Sequence, residues 1–269
     1  MIRLLIVAMP ATLIAATLAA SSASAEQCAR APASDRPKIG LVLGGGGARG
    51  AAHIGVIKLL QELHVPVDYV AGTSMGSLVG GFYATGMTAE QLDATVRAID
   101  FDTLFKDATA RRDEPYLRKL DDNLALFGPK VGIGPKSQLL AMGAISGQKI
   151  SFLFQTLTSQ RVQVDDFDNL PIPYRAMATD IVTGDAVVID KGNLAVAMRA
   201  SMSVPGAFDP VQIGPYLLVD GGLADNVPID VVRKMGADIV IAVDVGTPLE
   251  PRENLTSLVS ITAQLSGLL

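Results

Sequence analysis

Hydrophobic residues in this chain fall into short unbroken runs, separated by stretches in which apolar positions recur at helical spacing. Ile39-Gly40-Leu41-Val42-Leu43 is one such run and suits a central strand buried on both faces. Across residues 51–63 the apolar positions Ile54, Ile57, Leu60 and Leu63 fall on one side, which predicts a helix. Val65-Pro66 ends that helix, and the mostly apolar run to Ala71 predicts a second buried strand. Strand, helix and strand in this order predict parallel neighbours joined by a right-handed crossover. Leu78, Val79, Phe82 and Tyr83 suit a further helix ending near Gly86. Thr88-Ala89-Glu90-Gln91 has the form of a capping box and starts a helix that runs to about Ile99.

Residues 100–134 lack a clear period. They carry Arg111-Arg112-Asp113-Glu114 and Lys119-Leu120-Asp121-Asp122 among scattered aromatics, and read as a surface insertion or cap with a solvated charged face. Residues 138–157 predict a helix broken near Gly147. The α/β alternation then returns. Tyr174–Asp180 and 185–189 are strands about a Thr183-Gly184 turn, 193–198 is a short helix, 216–219 a strand, 229–235 a helix, and Ile239–Val243 another buried strand. Residues 255–269 predict a C-terminal helix with Asn254 as its N-cap. Gly267 is its only stop signal, so it either packs on the sheet or leads into further sequence.

Composition adds a compartment and removes some partners. Arg3, an apolar run to Ala20 and an Ala23-Ser24-Ala25 cleavage site make residues 1–25 a secretory signal, with 26–37 a linker rich in Ala, Pro, Ser and Arg. This predicts export to the periplasm, the cell surface or the medium. Gln27 stands where a lipoprotein signal wants a small residue before Cys28, the single cysteine, so lipidation is not expected. The formal net charge is −5, and removal of Arg3 with the signal leaves −6. With no basic patch, nucleic acid is not an expected partner. Net charge does not draw such a chain to an anionic bilayer either. Contact with a lipid surface would fall to apolar residues of the 100–134 stretch, such as Leu126 and Phe127.

The candidate chemistry centres on Gly72-Thr73-Ser74-Met75-Gly76, a G-x-S-x-G pattern between a predicted strand and a predicted helix. A turn that tight exposes its central residue, Ser74, and needs small residues two positions to either side. The following helix directs N–H groups and its positive end back toward Ser74. A serine nucleophile needs a base, yet the only histidines, His53 and His64, both precede it. The α/β-hydrolase order Ser, Asp/Glu, His is therefore excluded. A carboxylate is the remaining candidate. Asp220 ends an apolar strand and is followed by Gly221-Gly222, while Asp180 and Asp244 are rivals at other strand ends. The run Gly44-Gly45-Gly46-Gly47-Ala48-Arg49-Gly50 contains G-x-G-x-x-G at Gly45, Gly47 and Gly50. A dinucleotide site would want an acidic residue at the end of the second strand, but Asp68 lies near its start. The other reading of the run is an oxyanion hole of glycine N–H groups.

The glycine run, the Ser74 pentapeptide and Asp220-Gly221-Gly222, in this order across about residues 38–247, resemble the patatin-like phospholipases. The resemblance implies a three-layer α/β/α fold with a mainly parallel central sheet and a Ser-Asp dyad at the C-terminal edge of the strands. It implies Ser74 as nucleophile, Asp220 as general base, and an oxyanion hole from the N–H groups of Gly45, Gly46 and Gly47 with Arg49 beside them. Gly50, Gly72, Gly76, Gly221 and Gly222 are the remaining motif glycines. The activity implied is hydrolysis of phospholipid acyl esters through an acyl-enzyme, with no cofactor and no metal. The alternative is a non-catalytic lipid-binding domain on the same fold. The run from Arg199 to Pro205 is similar to bacterial members, where it is structural. The signal, this domain and the open-ended C-terminal helix resemble the secreted part of autotransporter phospholipases.

Overall fold

The computed structural model describes residues 36–99, 143–145, 147–159, 162, 164–246, 250–257, 260, 261 and 264. The signal segment, all but the end of the linker, the 100–134 stretch and most of the C-terminal helix lie outside these residues. Within the unit Pro37–Leu269, the described elements are β1 (Ile39–Leu43), α1 (Ala52–Glu62), β2 (Tyr69–Thr73), α2 (Met75–Ala84), α3 (Ala89–Ala98), β3 (Gly143–Ile145) and α4 (Gln148–Ser159). They continue as β4 (Tyr174–Asp180), β5 (Ala186–Ile189), α5 (Leu194–Ser201), β6 (Gly206–Phe208), β7 (Val211–Ile213), β8 (Tyr216–Asp220), α6 (Ile229–Lys234) and β9 (Ile239–Val243).

Pairing in the main sheet runs β7-β8-β4-β2-β1-β9, with β8 and β2 end to end on one edge of β4 and β5 on its other edge. Its parallel part is β4-β2-β1-β9. β5 and β8 run antiparallel to β4, and β7 antiparallel to β8. A second, two-stranded sheet pairs β3 with β6. The period-two alternation of strands divides the core. Leu41, Leu43, Val70, Ala176 and Ala178 pack with Ile57 of α1, Leu78 and Phe82 of α2 and Met198 of α5. Val42, Ala71 and Met177 pack on the other face with Val231 and Val232 of α6. The central strand β1 carries only apolar residues and glycine because both of its faces are covered, which makes three layers. Burying Leu41 and Leu43 completely contributes about 1.5–3 kcal/mol each.

Three local expectations change. β2 pairs from Tyr69 to Thr73 rather than from Val65, because Pro66 lacks the N–H a ladder needs. Of the helix expected over 138–157 with a break near Gly147, the break is present, but the described residues before it form the strand β3 and only those after it a helix, α4. Gly147 separates them at φ +71, and a Cβ there would lie 2.6 Å from the Arg199 Nε. Asn254 does not cap the C-terminal helix. It ends a short 3-10 turn and donates through Nδ2 to Glu250 Oε2 at 2.7 Å, while Ser257 Oγ accepts the Ser260 N–H at 3.1 Å.

The capping box at α3 forms in full. Thr88 Oγ1 accepts the Gln91 N–H at 3.3 Å, and Gln91 Oε1 accepts the Thr88 N–H at 3.1 Å. Thr88→Ala is expected to lower the unfolding free energy by about 1 kcal/mol in urea titration with activity unchanged.

Candidate active site

Ser74 joins β2 to α2 with φ 52 and ψ −122, a conformation in which a non-glycine residue is strained by about 1–3 kcal/mol. The flanking glycines permit it. A Cβ on Gly72 would strike the Gly76 carbonyl, and a Cβ on Gly76 would strike the carbonyl of Leu43 in β1. The Ser74 N–H donates to Ser201 Oγ at 2.9 Å, and Ser201 is fully buried. A Cβ on Gly50 would collide with the Met75 side chain, so this glycine lets the turn after the loop close against the elbow.

The sheet brings Asp220 to Ser74 in a way the strand pattern did not show. β2 and β8 lie along the same edge of β4 and run toward one another. Thr73 pairs opposite Met177 and Asp220 opposite Ala178, the next position on β4. The two strands therefore meet end to end, with Ser74 just past one end and Asp220 at the other. Asp220 is not at the edge of a parallel strand, as its position in the sequence suggested, because β8 is antiparallel to β4. Gly221 fits under this junction, since a Cβ there would strike the Met177 carbonyl.

Asp220 is 4% exposed. The Ser74 side chain lies beside its carboxylate, close enough for the hydroxyl to lower the carboxyl pKa, and the Gly222 N–H donates to Oδ1 at 2.8 Å. Burial pushes the Asp220 pKa up to about 6 against the smaller opposing effects of the Ser74 hydroxyl and the Gly222 N–H. Its backbone is also fixed. The Asp220 N–H donates to the Ser203 carbonyl at 2.9 Å, and Thr179 Oγ1 donates to the Asp220 carbonyl at 2.9 Å. The rivals are occupied elsewhere. Asp180 accepts from the N–H groups of Val182 and Leu217 and from the Thr183 hydroxyl. Asp244 is exposed and accepts from the Gly246 N–H at 2.7 Å. His64 is exposed at φ 53 past the end of α1. His53 is fully buried and turned to the glycine run, its Nε2–H donating to the Gly44 carbonyl at 2.8 Å.

The glycine run does not present its N–H groups alike. The Gly45 N–H donates to Asn226 Oδ1 at 3.1 Å, so it is not available to an oxyanion. Gly45 still has to be glycine, because a Cβ there would come within 3.2 Å of the Ser74 Cβ. Among the described residues the N–H groups of Gly46 and Gly47 have no acceptor, and they remain as the donors of this loop. Gly47 stands at φ +56, where glycine is favoured. Arg49 has an exposed side chain, and its N–H closes a turn onto the Gly46 carbonyl at 3.2 Å.

Residues of the Arg199–Pro205 run, expected to be structural, hold this arrangement. Ser201 and Ser203 lie in one segment, and one binds the Ser74 N–H through its hydroxyl while the other binds the Asp220 N–H through its carbonyl. The buried Arg199 guanidinium fixes that segment. It donates to Ser203 Oγ at 2.6 Å and lies 4.9 Å from the Phe208 ring centroid. The resemblance of this run to bacterial members pointed to a structural role, but the individual bonds that Ser201 and Ser203 make were not legible in the sequence. Beside Ser74 opens a cavity of about 390 Å³ with almost wholly apolar walls, lined among others by Ala51, Leu78, Phe82, Val96 and Phe208.

Comparison with known proteins places these features in a family. The sequence model described as patatin-like phospholipase matches residues 41–233. A patatin-like phospholipase domain-containing protein of Caenorhabditis elegans is 38% identical over 237 residues, which is 86% of this chain and 15% of that protein. Lysophospholipase NTE1 of Mycosarcoma maydis is 37% identical over 209 residues, 78% of this chain and 10% of that protein. The chain therefore spans only a small part of the length of either relative. Among solved structures, VipD from Legionella pneumophila has a TM-score of 0.48 at 18% identity, covering 82% of this chain and 52% of that one. Serine elbow, glycine run and D-G-G segment all fall inside the matched span, and the chain belongs to the patatin-like phospholipase family.

Proposed function

We propose that this domain is a serine-dependent lipid acyl hydrolase of the phospholipase A type, acting through Ser74 and Asp220. The observation that carries the reading is a serine on a strained elbow that lines an apolar cavity and stands beside a buried carboxylate, brought there by the end-to-end meeting of β2 and β8. Asp220 accepts the Ser74 proton as Oγ attacks the acyl carbonyl carbon. The resulting oxyanion is met by the N–H groups of Gly46 and Gly47, while the cavity takes up the acyl chain. Collapse expels the alcohol, which receives the proton from Asp220, and leaves the acyl group on Ser74. Water then attacks the acyl ester, Asp220 takes its proton, and collapse returns that proton to Ser74 Oγ and frees the fatty acid. The name of the lysophospholipase relative supports single-chain phospholipids as substrates of the same site. Secretion through the N-terminal signal and contact with a lipid surface through residues 100–134 are part of this proposal.

The deciding experiment is mass spectrometry after fluorophosphonate treatment. An adduct on Ser74, absent from Ser74→Ala, is expected; a protein that binds lipid but takes no adduct is the non-catalytic domain instead. The buried carboxylate also sets a pH dependence. Asp220 accepts a proton only when ionised, so kcat/KM for a soluble short-chain ester should rise about tenfold per pH unit below pH about 6 and level off above it. A profile that is flat from pH 5 to 8 would remove Asp220 as the base.

A further inference from the structure

We propose that His53 and Asn226 are positioning residues that pin a single peptide group, Gly44–Gly45, and through it aim the Gly46 and Gly47 N–H groups at the substrate oxyanion. The inference rests on the Ser74-Asp220 reading and concerns a layer behind it. His53 Nε2 lies 2.8 Å from the Gly44 carbonyl oxygen, and the Gly45 nitrogen lies 3.1 Å from Asn226 Oδ1. That carbonyl and that N–H are the two polar ends of one planar trans peptide and point in opposite directions. His53 therefore donates to the plane from one side, while on the opposite side Asn226 accepts from it, chiefly through its side chain and at 3.4 Å also through its backbone carbonyl. A plane gripped at both ends cannot rotate without breaking a buried hydrogen bond.

The grip matters because of where it acts. Neither Gly44 nor Gly45 has a Cβ, so rotation of the intervening plane meets little intrinsic resistance. The orientation of this plane sets the start of the chain that carries the next two N–H groups. His53 reaches it from the first turn of α1 and is fully buried. A carbonyl only accepts, so Nε2 must carry the proton, and Nδ1 has no partner among the described residues. Burial holds the ring pKa below its ordinary value, against the Gly44 bond and the more distant Asp244 charge, which keeps the ring in the neutral Nε2–H form. Asn226 adds a longer bond from Nδ2 to the Gly45 carbonyl at 3.5 Å. It also stands six residues past Asp220 in a segment whose Asp225 carbonyl accepts the Thr73 hydroxyl at 3.0 Å. Base, elbow and oxyanion loop are thereby tied through one stretch of chain.

The test is a mutant cycle on the full chain with a short-chain p-nitrophenyl ester. His53→Leu and Asn226→Leu are each expected to lower kcat about a hundredfold with KM little changed, since the loop contacts the transition state rather than the ground state. Because both act on one plane, the double variant should fall no more than about threefold below the weaker single variant. His53→Gln places an amide N–H where Nε2 stood and should recover activity to within about tenfold of the parent; His53→Asn, whose amide falls short, should not. A double variant at the product of the single losses, about ten-thousandfold down, overturns the proposal, as does a loss confined to KM. If a leucine variant fails to fold by thermal melting, the Gln and Asn variants decide alone, and equal activity in those two overturns it. Ser74→Ala in the same assay reads the dyad separately. Undiminished turnover there removes the dyad and this proposal together, whereas loss there with multiplicative His53 and Asn226 effects removes only the proposal.

Discussion

Ser74→Ala and Asp220→Asn are each expected to lower kcat by about ten-thousandfold or more, and the double variant is expected to be no worse than the poorer single one. A nucleophile and its base act as a unit, and neither His53 nor His64 is placed to replace Asp220. Stability should move the other way for Asp220→Asn. Burial raises the Asp220 pKa above its unfolded value, so the contribution of the carboxyl to stability is fully present below pH about 4 and is lost as pH rises through about 6. At pH 8 the ionised carboxylate is therefore held at a cost on the order of 3 kcal/mol, from a shift of about two pKa units at 1.36 kcal/mol each. An amide keeps an acceptor for the Gly222 N–H and carries no charge. Asp220→Asn should accordingly melt above the parent at pH 8 and lose that advantage at pH 4. A variant that is inactive but no more stable at pH 8 would show that the carboxylate is better solvated than its burial implies. Parent-like turnover in Asp220→Asn would mean that another group is the base.

The second large effect is expected at Gly76. Its added Cβ meets a backbone carbonyl, that of Leu43, rather than a side chain that can swing aside. β1 is paired on both edges, to β2 and to β9, so that carbonyl cannot retreat. Gly76→Ala should destabilise by about 3 kcal/mol or more and, in whatever protein folds, move the elbow and slow fluorophosphonate labelling of Ser74. Gly55→Ala supplies the contrast. This glycine lies inside α1 with no atom near an added Cβ, so the same substitution should stabilise by about 0.5–1 kcal/mol through helix propensity. Thermal melting of the two variants measures both signs. A Gly76→Ala protein as stable and as reactive as the parent would show that the close approach of elbow and β1 is not required.

The periodicities determined the elements where packing follows from local pattern. Ile39–Leu43 is a strand at the expected residues because such a run can be buried only between two layers of helices, whereas Ile239–Val243 is a strand as expected but at the end of the sheet, with none of its residues fully buried. Ser74 was legible for a similar reason, since small residues two before and two after a serine at a strand-helix junction permit few backbone paths. The absence of any histidine after Ser74 turned attention to a carboxylate, and Asp220 stood out by its strand end and its glycines. The sequence could not show why Asp220 meets Ser74 while Asp180 and Asp244 do not. That depends on β8 entering antiparallel beside β4 and stopping where β2 stops, a register between strands more than a hundred residues apart. Nor could it show that Gly45 gives its N–H to Asn226, or that His53, Ser201 and Ser203 are spent on holding backbone. Such roles depend on which polar group is buried opposite which, whether the partner is 9 residues away, as Gly44 is from His53, or 127 to 181, as for Ser201 with Ser74 and Asn226 with Gly45. Local sequence fixes which residues can turn, pair or be buried, whereas the partner each buried polar group finds is decided only when the layers close.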